Sequence, residues 1–230
     1  MAKRRRIPKK KLKEPDEFIS TTARILSWAV ENLKLVLIGM IICALVVLSL
    51  VFWRIKARNR EIEALNVFYR ASEMLMSAED PSSKGYQEAI AEFGRIQREY
   101  PHTDVVELAQ LQLGQGFLNT KQYDKAVESY RKFLDSGPRE GLYRLLALQN
   151  LGYAYEGQGD YQRALDSFQS LVAKGENFLQ PWAYLNVGRC YEKLGNREEA
   201  LKTYRIFLEK FPDSTMAPLI RSKISTLEYR

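Results

Sequence analysis

The sequence predicts an all-α protein: one amino-terminal transmembrane helix, then an α-solenoid of about four helix pairs closed by a carboxy-terminal capping helix. Three observations predict it. Residues 35–53 carry no charge, a motif centred on a small residue recurs four times, and glycine and proline stand at fixed offsets from that motif. The chain divides accordingly into a basic tail over 1–34, a membrane helix over 35–53 and a repeat domain over 54–230.

The membrane helix comes first. LVLIGMIICALVVLSLVFW holds nineteen residues, and a helix of that length spans roughly 28 Å, close to a hydrocarbon core of ~30 Å. Trp28 and Trp53 stand near its two ends, as interfacial aromatics do. Val51-Phe52-Trp53-Arg54 offers signal peptidase no small residues, and Ile42 before Cys43 is unlike the small residue that precedes an acylated cysteine. The segment is therefore expected to remain as an anchor.

The charge sets its direction. The chain carries a net charge of +7, and residues 1–34 hold ten Lys/Arg against four acidic residues. The body beyond the anchor is close to neutral, which argues against a nucleic-acid-coating protein. The first twenty residues after the anchor carry five Lys/Arg, so the basic excess lies on the amino-terminal side. That places the amino terminus in the cytoplasm, and in a bacterium the repeat domain in the periplasm. The run KRRRIPKKKLK is read as a topogenic tail that also touches anionic lipid.

The repeats follow. Ala89, Ala126, Ala164 and Ala200 are spaced 37, 38 and 36 residues apart, and four residues after each comes Phe93, Tyr130, Phe168 or Tyr204. Pro101, Pro138 and Pro212 lie twelve residues after three of the alanines, with Glu176 in the remaining place. Gly114, Gly152 and Gly188 lie twelve residues before three of them, each followed three residues later by Phe117, Tyr155 or Tyr191. Small residues let two helices approach, aromatics fill the space around the contact, and proline ends the second helix. Length variation falls between repeats and not within the helix pair, as a stacked array requires. The repeats are placed at about 61–101, 104–138, 142–176 and 180–212, with a capping helix over 214–228. Asp104, Asp160, Asn196 and the pair Asp213-Ser214 are expected to cap helices.

The pattern Leu113-Gly114-x-x-Phe117, Tyr123-x-x-Ala126-x-x-x-Tyr130 and Pro138 resembles a tetratricopeptide repeat (TPR), as do its counterparts around Gly152 and Gly188. The resemblance implies a TPR α-solenoid whose first helices line a concave groove. Groove positions are then the residues after each glycine (Gln115, Tyr153, Arg189) and three before it (Leu111, Gln149, Leu185). Asn119, Lys193 and Trp182 join them, with Trp182 the strongest contact candidate as an exposed aromatic. These positions lack the basic and asparagine set by which TPR domains clamp an acidic peptide carboxy terminus.

Chemistry-bearing motifs are sparse. His102 is the single histidine, Cys43 and Cys190 are expected to stay unpaired, and no phosphate loop, paired-cysteine motif or nucleophile elbow occurs. No catalytic residue, metal site or cofactor is expected, and no nucleic-acid or small-molecule partner. The layout of anchor, repeats, Phe211-Pro-Asp-Ser and Ala217-Pro-Leu-Ile-Arg-Ser-Lys-Ile-Ser-Thr-Leu resembles the YfgM-type bacterial inner-membrane family. That resemblance implies a periplasmic scaffold ancillary to the Sec translocon, with translocon subunits or periplasmic folding factors as partners. A scaffold for division, pilus or outer-membrane assembly, and an organelle import receptor with cytosolic repeats, are the alternatives.

Overall fold

In the computed structural model, residues 17–175 and 177–229 are described, and they form ten α-helices with no strand among the described residues. The chain divides into two compact units, Met1–Ala57 and Arg58–Arg230.

In the first unit, α1 (Glu17–Glu31) is followed by the start of α2 (Leu33–Ser77). The basic run and the rest of residues 1–16 lie outside the described residues. The remainder of the expected tail is mostly helical. Ile25, Leu26, Ala29 and Val30 repeat at helical spacing, and no Gly or Pro interrupts 17–31. Asn32 separates α1 from α2, its side-chain amide donating to the Trp28 carbonyl at 2.9 Å. Residues 37–53 are exposed throughout, and α2 is the one described helix long and apolar enough to cross a membrane.

The first helix of the repeat expected from about residue 61 is the end of α2, with no break after the apolar stretch. The reason is local. Arg54-Ile-Lys-Ala-Arg-Asn-Arg-Glu-Ile-Glu-Ala-Leu holds no Gly or Pro and is rich in strong helix formers.

In the second unit, the end of α2 pairs with α3 (Lys84–Glu99), followed by α4 (Val105–Asn119) with α5 (Tyr123–Ser136) and α6 (Leu142–Gln158) with α7 (Tyr161–Val172). The last pair is α8 (Gln180–Lys193) with α9 (Arg197–Lys210), and α10 (Ala217–Glu228) closes the stack. From α3 to α10 each helix packs on the next, the end of α2 shares a buried cluster with α3 and α4, and further clusters follow along the stack. Ala89, Ala126, Ala164 and Ala200 are all fully buried, as are Phe93, Tyr130, Phe168 and Tyr204. A fully buried ring of this size contributes on the order of 2–3 kcal/mol.

The glycines have a sharper role than backbone approach alone. A Cβ on Gly114 would lie 2.6 Å from the Tyr130 ring, and one on Gly152 or Gly188 would run into Phe168 or Tyr204. Each glycine is thus the seat for the aromatic of its own pair. In the first pair Ala71, fully buried six residues before the end of α2, takes this place, as Gly152 does six before the end of α6. Phe93 there packs edge-on against Phe68 at 5.4 Å.

The turns inside the pairs also repeat. Gly159 and Gly195 adopt left-handed backbone (φ 78° and 76°), and Lys121 takes the same place at φ 58°. In each turn two amide N–H groups bond back to the preceding helix, such as Gly159 to Glu156 and Asp160 to Tyr155, both at 2.9 Å.

Capping differs from expectation at two helices. Asp160 and Asn196 accept from the amides of Arg163 and Glu199 (3.0 and 3.3 Å). Asp104, however, has helical backbone and makes no side-chain cap; its own N–H donates to Glu61 Oε2 at 3.0 Å, so it is held by α2. Asp213-Ser214 does not cap α10 either, because that helix starts at Ala217, and Ser214 Oγ accepts from Met216 N at 3.2 Å in the turn before it. Ser83, unforeseen, caps α3 by accepting from Tyr86 N at 3.3 Å.

Candidate protein-binding surface

The residues singled out on the first helices fall into three groups. The first is a polar ladder that links successive repeats. Asn119 Nδ2 donates to the Tyr86 hydroxyl (2.7 Å), Gln115 Nε2 to Asn119 Oδ1 (2.8 Å), and Asn150 Nδ2 to Gln115 Oε1 (2.8 Å). One repeat further on, Gln149 Nε2 and Asn186 Nδ2 both donate to the Tyr153 hydroxyl, at 3.1 and 3.0 Å. Arg189 then meets Glu156 through two bonds, Nε to Oε1 at 3.0 Å and Nη2 to Oε2 at 2.6 Å. Gln115, Asn119, Gln149, Tyr153 and Arg189 thus sit on one face of α4, α6 and α8, joined by bonds made within the protein.

The second group is Trp182 and Lys193, at opposite ends of α8 and both exposed. Trp182 is 47% exposed and belongs to the helix start, away from the ladder. The third group packs. Leu185 is buried at 7% exposure against Tyr204, Phe207 and Ile220, so it belongs to the core and not to the groove lining assigned to it. Leu111 is half-buried against the central core cluster. Gln149, at the same position of its repeat, bonds to Tyr153 in the ladder instead.

Glu156, Asn150 and Asn186 complete the ladder and were not anticipated. A signal for two of them exists: Gln112, Asn150 and Asn186 all stand two residues before a repeat glycine. Glu156 has a counterpart too: Glu156 and Glu192 each follow the repeat aromatic, four residues after Gly152 and Gly188, and each pairs with a cation from a later helix, Arg189 and Lys223.

The electrostatics follow from burial. Cys190 is fully buried beside Glu156 (Sγ to Oε1, 3.7 Å); burial first, and then that carboxylate, push its thiol up to about 12. Burial raises the Tyr204 phenol as well, and its bond to Glu192 adds to the effect. Glu192 also receives Lys223 Nζ at 2.7 Å, which ties α10 to α8. These groups are arranged as structural hydrogen-bond partners.

Comparison with known proteins agrees with this geometry. The chain is 29% identical over 191 residues to the ancillary SecYEG translocon subunit of Neisseria gonorrhoeae, covering 82% of this chain and 87% of that one. Among solved structures it is similar to a tetratricopeptide repeat protein from Parabacteroides merdae, with TM-score 0.60 and 16% identity over 72% of this chain. It spans 60% of that protein. It is also similar to TPR-like repeats of a putative kinesin light chain from Podospora anserina (TM-score 0.59, 16% identity, 70% of this chain and 85% of that one). The tetratricopeptide repeat-like domain family matches residues 27–229, a length that takes in the apolar stretch as well as every helix pair, and the chain belongs to that family.

Proposed function

We propose that this protein is a non-enzymatic, membrane-tethered scaffold that holds protein partners beside a Sec translocon in the bacterial inner membrane. Its basic amino terminus lies in the cytoplasm and its repeat unit in the periplasm. The observation that carries the reading is the likeness to the Neisseria translocon subunit over most of both chains. The excess of Lys/Arg before residues 35–53 supports the orientation, and the fold supports protein binding. Folding factors acting on emerging chains suit the periplasmic repeats, while the anchor and basic tail contact lipid.

The test is cross-linking in native membranes through a photoreactive residue at Asn119 or Lys193, followed by identification of the adducts. Recovery of translocon subunits supports the reading. Adducts confined to division, pilus or outer-membrane assembly proteins overturn it. Protease digestion checks the topology: the repeats should become accessible once the outer membrane is opened, whereas accessibility only after lysis of the inner membrane contradicts it.

A further inference from the structure

The repeat unit has two edges, and they differ in chemistry. Asn150 bonds to Gln115 and Asn186 to Tyr153 at equivalent repeat positions, so α4, α6 and α8 run parallel in common register. Glu61, near the start of the second unit, touches the Asp104 amide just before α4, so the end of α2 runs the same way. The starts of these helices therefore share one edge, and their ends share the other.

The starting edge is apolar and aromatic. Ile62, Leu142, Tyr143, Phe178, Trp182 and Leu219 lie in or beside the first turns of α6, α8 and α10 or of the α2 segment, with exposures of 48, 50, 48, 64, 47 and 49%. Charges of both signs lie among them, Asp104, Arg139, Glu140, Lys174 and Asp213 included. The opposite edge carries Glu79, Asp80, Lys121, Asp160 and Lys193, with Met76, Leu194 and Tyr229 as its exposed large apolar residues.

The chain enters the second unit at Arg58, on the apolar edge. Trp53, the last residue of the apolar stretch, is five residues earlier, so even a fully extended chain keeps Arg58 within about 17 Å of it. We propose that this edge rests on the lipid surface, with Tyr143, Phe178 and Trp182 inserted at the headgroup level. Tyr and Trp suit that layer because each has an apolar ring and one polar group. The proposal rests on residues 35–53 spanning the bilayer.

The test uses the full chain in vesicles of phosphatidylethanolamine and phosphatidylglycerol, with and without brominated acyl chains. In the W28F/W53F protein Trp182 is the one tryptophan, and bromolipid should remove about half of its emission while shielding it from aqueous iodide. Replacing Tyr143 and Phe178 by Ser in that background should abolish most of the quenching; both side chains are about half or more exposed, so the fold does not depend on them. A reporter on the other edge, L194W in a protein lacking the native tryptophans, should be quenched by iodide and not by bromolipid. The W28F/W182F protein reports on Trp53. If Trp53 is quenched by bromolipid and Trp182 is not, the edge does not rest on lipid, and Trp182 shielded from both quenchers shows a protein on that edge instead. If neither tryptophan is quenched by bromolipid, the spanning reading falls and the docking with it.

Discussion

The first helix pair and the three that follow solve one packing problem with different residues. In the later pairs a glycine seats the aromatic ring of its own pair, and any Cβ at Gly114, Gly152 or Gly188 would collide with it. In the first pair Ala71 lies at that place, Phe93 leans on Phe68, and the turn to α3 is longer, from Ala78 to Ser83. The comparison teaches that the small residue is fitted to the ring it faces.

Substitutions at the seats test this most strongly. Gly152→Val should destabilise the full chain in detergent by about 3 kcal/mol, since Phe168 is fully buried and has nowhere to move. Ala71→Gly should cost only about 1 kcal/mol, mainly from helix propensity. Thermal unfolding followed by circular dichroism measures both; equal losses would break the comparison. A glycine away from any ring sharpens it. At Gly94 a Cβ would meet only the tip of Arg98, at 3.4 Å, so Gly94→Ala should stabilise by roughly 0.5–1 kcal/mol.

The ladder gives an effect of intermediate size. Arg189→Ala leaves Glu156, whose side chain is 14% exposed, without its paired donor, and should cost about 2 kcal/mol. The later pairs depend on this contact, and the first pair does not. Smaller again is the turn. Lys121→Gly should stabilise by about 0.5 kcal/mol, because the left-handed backbone at this position suits glycine, as Gly159 and Gly195 already have. A loss of stability there would mean that the Lys121 side chain supports the turn.

Cys190 offers a reading without mutation. Its thiol is pushed up to about 12 by burial and by Glu156, so at pH 8 it stays protonated while the unit is folded. Iodoacetamide should label it only as fast as the third and fourth pairs open. Labelling as rapid as that of an exposed cysteine would contradict the packing around α8.

Much of the fold was legible from composition at fixed offsets. Glycine, alanine and aromatic residues announce the contacts of three pairs because each contact is made within a short stretch of chain. The first pair was harder to read, since its longer turn moves Ala71 out of register with Ala89 and leaves no glycine to find. The run-on of the apolar stretch into the repeats was hidden for another reason: charge marks the end of a lipid-facing surface, while nothing in residues 54–60 marks the end of a helix. The candidate surface was half legible. Gln115, Tyr153 and Arg189 follow the glycine and do share a face, but their partners come from other repeats, and Leu185 shows that periodicity alone does not say which side of a helix is covered.

The central claim, that the repeat unit is a protein-binding scaffold at the membrane, is tested most directly by comparing two cross-linking positions in living cells. A photoreactive residue replacing Lys193, beside the ladder helices, is set against one replacing Lys132 on α5, where the side chain pairs with Glu128 at 2.7 Å on an exposed surface. Discrete adducts with translocon subunits from position 193 and none from position 132 are expected. Equal and nonspecific labelling from both, or no adduct from 193 in membranes that retain an intact translocon, would contradict the claim.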